Sequence, residues 1–301
     1  MIQYVKRKDL DISKYDSCIE NSIQSKIYGF SWYLDIVADN WDALVLDDYK
    51  AVMPIPWRKK FGVKYAYPPF WILQLGIFST DKKIKEDNFL KLLFKNFRFV
   101  EVKMNSGNKI ANFKRFTNEK EFQFLSINKD YELIQKEYQK DRKKDIRKAN
   151  ELDLEVKWNN TTKELISLFK NNVGKRVSKI TEKDYAVLAA LIKQCLEREV
   201  GEQLSVYHHE NLVASAFILK YKSEITILVS STDFENRKNG ANTFLIYLAI
   251  QKYHQEFQIF NFGGSSIKSV AKYFKSFGAE TEKYQQIKYN NLPKLISFFK
   301  Q

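Results

Sequence analysis

Ser231-Thr232-Asp233-Phe234-Glu235-Asn236-Arg237-Lys238-Asn239-Gly240-Ala241-Asn242 is the stretch on which the reading of this chain turns. It joins a β-rich run, Glu224 to Ser231, to Ala241–His254, where Phe244, Leu245, Ile246, Leu248, Ala249 and Ile250 are apolar nearly all round, the pattern of a buried helix. The start of any helix presents N–H groups without intrahelical acceptors and a partial positive charge. Gly240 lets a ligand approach that backbone closely, and Arg237 and Lys238 add formal charge beside it. The arrangement predicts an anion cradle. Its candidate binding residues are Arg237, Lys238, Asn239, Gly240, Ala241 and Asn242.

Around this stretch the second half reads as strand Leu152–Trp158, helices Lys163–Asn172 and Glu182–Glu199, and a meander of strands Leu204–His208, Leu212–Tyr221 and Glu224–Ser231. After the central helix come strand Gln258–Phe262, helix Ser266–Ser276 and strand Glu282–Tyr289. Gly263-Gly264-Ser265 opens a second small, amide-rich helix start. Gly263, Gly264, Ser265, Lys268 and Arg176 are therefore candidate substrate contacts. His208 and His209 are adjacent on a strand, point to opposite faces and predict no metal site.

The first half alternates helices with a hairpin-built sheet. Trp41–Leu46 and Lys50–Pro56 flank the turn residues Asp47-Asp48-Tyr49, and Ser31 has the look of a helix N-cap. Two prolines make Tyr65–Trp71 an extended aromatic segment. No basic, glycine-bearing loop opens the helix around Asn88–Phe94, so this half lacks a counterpart of the Arg237–Asn242 turn. Leu133–Leu152 reads as a surface helix with an excess of Lys and Arg, either a phosphate-binding rim or a solvated hinge. The expected division is a unit of residues 1–130 and a unit of 131–301 beginning with the basic hinge at 131–151.

Composition sets the outer bounds. Across 301 residues Lys and Arg exceed Asp and Glu by 14, which suits a polyanionic ligand or a lysine-rich surface. With 23 Phe and 17 Tyr the chain is too rich in aromatics for disorder. Cys18 and Cys195 stand far apart, and no run reaches the ~20 apolar residues of a membrane span. A reduced, cytoplasmic setting without a transmembrane segment is the expectation.

The strand, the Arg237–Asn242 turn and the buried helix resemble the acyl-CoA pyrophosphate loop of the GNAT acyltransferase superfamily, and the order of elements from Leu152 to Tyr289 matches that fold. The wider chain is similar to the bacterial FemAB-like branch, on the strength of Pro68-Pro69-Phe70, Asn261-Phe262-Gly263 and the Phe274–Ala279 ending. That resemblance implies an α/β fold of two tandem GNAT-like units, each a mixed, mostly antiparallel sheet flanked by helices, the first one degenerate. It implies acyl-CoA, such as acetyl-CoA, as co-substrate with no metal, and an amine of a sugar, peptide or cell-wall precursor as acceptor. It also allows aminoacyl-tRNA-dependent transfer onto a peptidoglycan precursor, with tRNA as partner, while a binding module that kept the fold and lost the chemistry is the third reading. Two departures stand out: Asn242 replaces the small residue that ends the loop pattern, and Phe274 stands where many GNAT enzymes have a tyrosine acid. Tyr273, one position earlier, points about 100° away on a helix, so no catalytic residue is assigned.

Overall fold

The structure is a computed structural model that describes residues 1–152, 154–177, 179–235, 237–263 and 267–293, the side chain of Arg237 excepted. The chain forms two compact units, residues 1–120 together with 283–301, and residues 121–282.

The first unit contains β1 (Ile2–Lys6), α1 (Ile12–Asn21), α2 (Ser31–Val37), β2 (Trp41–Leu46), β3 (Ala51–Lys60), β4 (Val63–Ala66), β5 (Phe78–Ser79), α3 (Glu86–Asn96) and β6 (Phe99–Lys103). β1, β2, β3 and β4 pair antiparallel in sequence, and β4 meets β6 in parallel at Ala66 and Val100. Asp47 and Tyr49 take positive φ in the β2–β3 turn, a conformation that the short polar Asp47 adopts readily and the bulky Tyr49 at a steric cost. α3 buries Phe89, Leu90 and Leu93 in a cluster with Met53, Ile55, Val100 and Val102. Ser31 does not cap α2: it is the first helical residue, after Phe30 at the cap, and its hydroxyl donates to Asp16 at 2.6 Å. The aromatic segment packs within this unit, where Tyr33 donates to the Trp71 carbonyl and the Arg58 guanidinium lies 4.1 Å from the Tyr67 ring.

The chain continues through β7 (Thr117–Ser126), α4 (Tyr131–Lys136), α5 (Lys140–Glu151), β8 (Glu155–Trp158), α6 (Thr162–Asn171), α7 (Glu182–Glu197), β9 (Gly201–His208), β10 (Asn211–Tyr221), β11 (Glu224–Thr232), α8 (Ala241–Tyr253), β12 (Ile259–Asn261), α9 (Lys268–Lys275) and β13 (Glu280–Asn290). In the second unit the strand order is β7-β12-β11-β10-β9-β8, antiparallel except for the β11–β12 pair. α8 is buried through Phe244, Leu245, Ile246, Ala249, Ile250 and Tyr253 against Leu204, Val206, Ala214, Ala216 and Ile218 of the sheet. α6 packs on β10 and β11, and α7 packs on α6 and β9. Each unit is thus a mixed α/β structure whose sheet is mostly antiparallel.

Two features differ from the sequence reading. The basic stretch is not one helix: it breaks at 137–139, where Tyr138 turns inward to 3% exposure and the Gln139 N–H donates to the Ser276 carbonyl. Burying one aromatic and satisfying one main-chain donor at that point outweighs helix continuity. The sequence boundary at 130/131 is also not where the compact units divide. Residues from Lys283 onward return to the first unit because β13 pairs antiparallel with β6, Gln286 opposite Lys103 and Asn290 opposite Phe99.

Candidate functional site

A parallel pair needs a crossover, and here α8 supplies it. β11 and β12 are paired only where Glu224–Thr226 lie beside Ile259–Asn261. From Ile227 to Thr232 β11 continues without a strand on that side among the described residues, so it leaves a free row of main-chain donors and acceptors. The β10–β11 register shifts between Phe217 and Ile218, opposite Val229 and Ile227, which leaves Leu228 as the extra residue of a bulge just beyond the last β11–β12 pair.

The turn that leaves β11 ends in a 3-10 turn, Arg237–Asn239, and in Gly240 at the N-cap of α8 with φ 80°. A Cβ at Gly240 would lie 2.4 Å from the Asp145 carbonyl oxygen, so glycine is required both for the backbone conformation and for the approach of α5. The Ala241 N–H donates to Asn239 Oδ1 at 2.9 Å, and the helical ladder begins with Phe244 N–H to the Gly240 carbonyl. Helix geometry leaves the Asn242 and Thr243 N–H groups facing out of the helix end.

A polar cluster surrounds that end. Asn242 Nδ2 donates to the Tyr273 hydroxyl at 2.8 Å, and Thr243 Oγ1 lies 3.2 Å from the same oxygen. Thr243 donates to Asp145 Oδ2 at 3.0 Å and accepts from Arg142 Nη1 at 2.9 Å. With its one proton given to Asp145, Thr243 can only accept from Tyr273, so the phenol donates there and accepts from Asn242. Arg142 Nη2 also contacts Asp145 at 3.0 Å, and the guanidinium stands 4.7 Å from the Tyr273 ring. Burial pushes the Tyr273 phenol above its ordinary value against the pull of Thr243, Arg142 and Asn242, so it keeps its proton at neutral pH. Among the described residues Arg142 Nε and Asn239 Nδ2 are buried donors without partners.

Of the residues singled out in the sequence, Asn239, Gly240, Ala241 and Asn242 form this helix start, and Lys238 is exposed beside it. The Arg237 side chain, Gly264 and Ser265 lie outside the described residues. Gly263 has φ 82° and donates to Asn261 Oδ1 at 2.9 Å, just beyond β12. Lys268 is exposed as the first residue of α9. Arg176 ends the 3-10 turn Gly174–Arg176 after α6, and its guanidinium stands 4.1 Å from the ring of Phe234, on the loop after β11. Phe274 stacks on Phe262 at 4.8 Å, whereas Tyr273, turned away from it, faces the α8 start. Sequence reasoning missed Arg142, Asp145, Thr243 and Tyr273 as one group; the basic run was the one signal for α5, and nothing in it showed that α5 docks on α8. Among the described residues no three His, Cys, Asp or Glu groups are placed to hold a metal ion, and no helix is long and apolar enough to cross a membrane.

Comparison with known proteins bears on this geometry. Residues 136–283 match the family model described as an acetyltransferase (GNAT) domain. No curated protein sequence matches the chain. Among solved structures, FemX is similar over 97% of this chain and 99% of its own, at 12% identity and a TM-score of 0.65. L-PGS from Bacillus licheniformis covers 96% of this chain and 95% of its own at 11% identity and a TM-score of 0.59. A tandem GNAT protein from the clavulanic acid biosynthesis pathway covers 98% of this chain and 100% of its own at 9% identity and a TM-score of 0.58. At these identities the likeness is one of fold. Residues 136–283 thus match a GNAT-type acetyltransferase domain, a match that supports acyl transfer, and the chain shares the two-unit fold of FemX and of the tandem GNAT protein.

Proposed function

We propose that the chain transfers an acyl group from acyl-CoA to an amine of a sugar, peptide or cell-wall precursor, and that the start of α8 is the reacting centre. The observation that carries this reading is the coincidence of the free β11 edge, the outward N–H groups of Asn242 and Thr243, and a proton-bearing Tyr273 at one helix end. The donors Arg142 Nε and Asn239 Nδ2, without partners among the described residues, turn positive potential toward an anionic phosphate group at that end. The β11 edge from Ile227 to Thr232 can take up an extended amide-bearing arm as an added strand would. In this reading Tyr273 passes its phenolic proton to the group that leaves the acyl carbon, supported by the contacts of its hydroxyl with Asn242 and Thr243. The first unit is the degenerate copy, with no counterpart of the loop.

A second reading, an aminoacyl ester donor carried on tRNA, rests on a different observation. The Asp145 carboxylate and main-chain oxygen already lie against the α8 start, and both oppose a diphosphate there. Lys140, Lys143, Lys144, Arg147 and Lys148 of α5 are exposed and could track an RNA backbone.

Calorimetry with CoA and with bulk tRNA across a salt series separates the two. CoA binding that Tyr273→Phe leaves intact, with transfer slowed by about 100-fold or more, supports the first. Absence of CoA binding together with tRNA binding that weakens steeply with salt selects the second. Absence of both sinks acyl transfer by either route.

A further inference from the structure

We infer that the first unit carries an anion-binding site of its own, built on Lys103 of β6 with Gln74 and Gln286 on either side, which takes an oxyanion bearing an adjacent hydrogen-bond donor, as in a phosphate or a hydroxy-carboxylate. Val102 and Met104 point into the apolar cluster under α3, so strand alternation turns Lys103 to the other face of the sheet. Gln286 is the direct partner of Lys103 across the antiparallel β6–β13 pair and shares that face. On the other side Leu75 bridges Met104 in parallel, and the Leu75 N–H donates to the Lys103 carbonyl, which sets Gln74 beside Lys103.

Two polar groups of this row, Gln74 Oε1 and the Lys103 ammonium, have no partner among the described residues. Gln74 is 6% exposed, and among the described residues its Oε1 has no hydrogen-bond partner. Gln286 is equally buried and donates to Glu101 at 2.6 Å. Among the described residues no hydrogen bond or ion pair reaches the Lys103 ammonium. Burial depresses its basicity; Glu101 on the same strand works against that, and Lys120 on β7 works with it. Glu101 is itself engaged by Gln286 and, at 3.6 Å, by Lys288. A half-buried lysine without a partner among the described residues is completed by a ligand of opposite charge. The ammonium calls for an anion and the Gln74 oxygen for a donor. One ligand meets both demands when its oxyanion carries an O–H beside it.

The test reads Lys103 itself. Trace labelling of the whole protein with fluorodinitrobenzene, quantified peptide by peptide by mass spectrometry, gives its reaction rate with and without inorganic phosphate, lactate or acetate. The site predicts that phosphate or lactate slows Lys103 about tenfold at saturation while exposed Lys95 on α3 is unchanged, and that acetate, lacking the donor, does less. Protection by phosphate alone or by lactate alone supports the site and identifies the anion. Gln74→Leu should weaken protection severalfold, and Lys103→Met should melt at or above the wild-type temperature because it removes an uncompensated charge. Equal effects on Lys103 and Lys95, no protection, no labelling of Lys103 at all, protection that Gln74→Leu leaves unchanged, or a lowered melting temperature for Lys103→Met would each overturn the inference. No acyl donor enters the assay, so its outcome is independent of the transfer reaction.

Discussion

At position 240 one hydrogen atom decides whether α5 and α8 can meet. The φ of 80° disfavours any side chain by about 1–2 kcal/mol, and a methyl group there would press on the Asp145 carbonyl at 2.4 Å. Gly240→Ala is therefore expected to lower the unfolding free energy by at least ~2 kcal/mol, read as a shift of the denaturation midpoint at unchanged m. The same residue shows what the sequence could tell. A glycine between basic residues and a buried helix was legible as a turn and a candidate anion site. That its Cα faces a neighbouring main-chain oxygen was not, because Asp145 is distant in sequence and no local pattern encodes which helix docks there. Tyr273 makes the same point: its direction relative to Phe274 follows from helical spacing, whereas the group it meets in that direction depends on tertiary packing.

At the scale of elements, α8 is held at both ends by polar groups from other elements. Its first turn is tied to α5 and α9 through Thr243, and its last turn is tied to β9 and β10 through Glu202, which accepts from Lys220 at 2.8 Å, from Tyr253 at 2.6 Å and from Lys252. Burial alone would raise the Glu202 carboxyl, but the donors from Lys220, Lys252 and Tyr253 win and bring it from 4.5 down to about 2. A carboxylate depressed in the folded state stabilises at pH above its unfolded value and loses that contribution as pH falls through the folded value. The wild type should accordingly exceed Glu202→Gln in stability at neutral pH by on the order of 1 kcal/mol after solvent screening. The gap should close between about pH 4.5 and about 2, as urea denaturation at stepped pH would show. A gap that persists at low pH would mean that packing, not charge, is responsible. Most elements were legible from periodicity and turn chemistry, α8 and the meander above all. The break at Tyr138 was not, since the gain from burying that ring appears only once Phe277 lies 5.3 Å away across the core.

For the whole molecule, two settings of positive charge contrast: exposed lysines and arginines along α5, and the half-buried ammonium of Lys103. The first kind was visible in composition. The second was hidden, because a single lysine in a β-run reads like any surface residue until the strand register shows what lies beside it.

The return of β13 to β6 bears on synthesis. A ribosome releases the chain in order, yet the first unit lacks Ile287, fully buried in its core, and Tyr289, stacked 4.2 Å from Phe94, until residues 121–282 have emerged. The unit that is encoded first is completed last, and residues 121–282 have all their own strands before it does. Removal of residues 283–301 should leave the second unit protected in pulsed hydrogen exchange while β6 and α3 exchange freely, the loss of Ile287 alone amounting to about 2–5 kcal/mol. Every nascent copy passes through that half-finished condition, with the β6 edge open to whatever strand reaches it first.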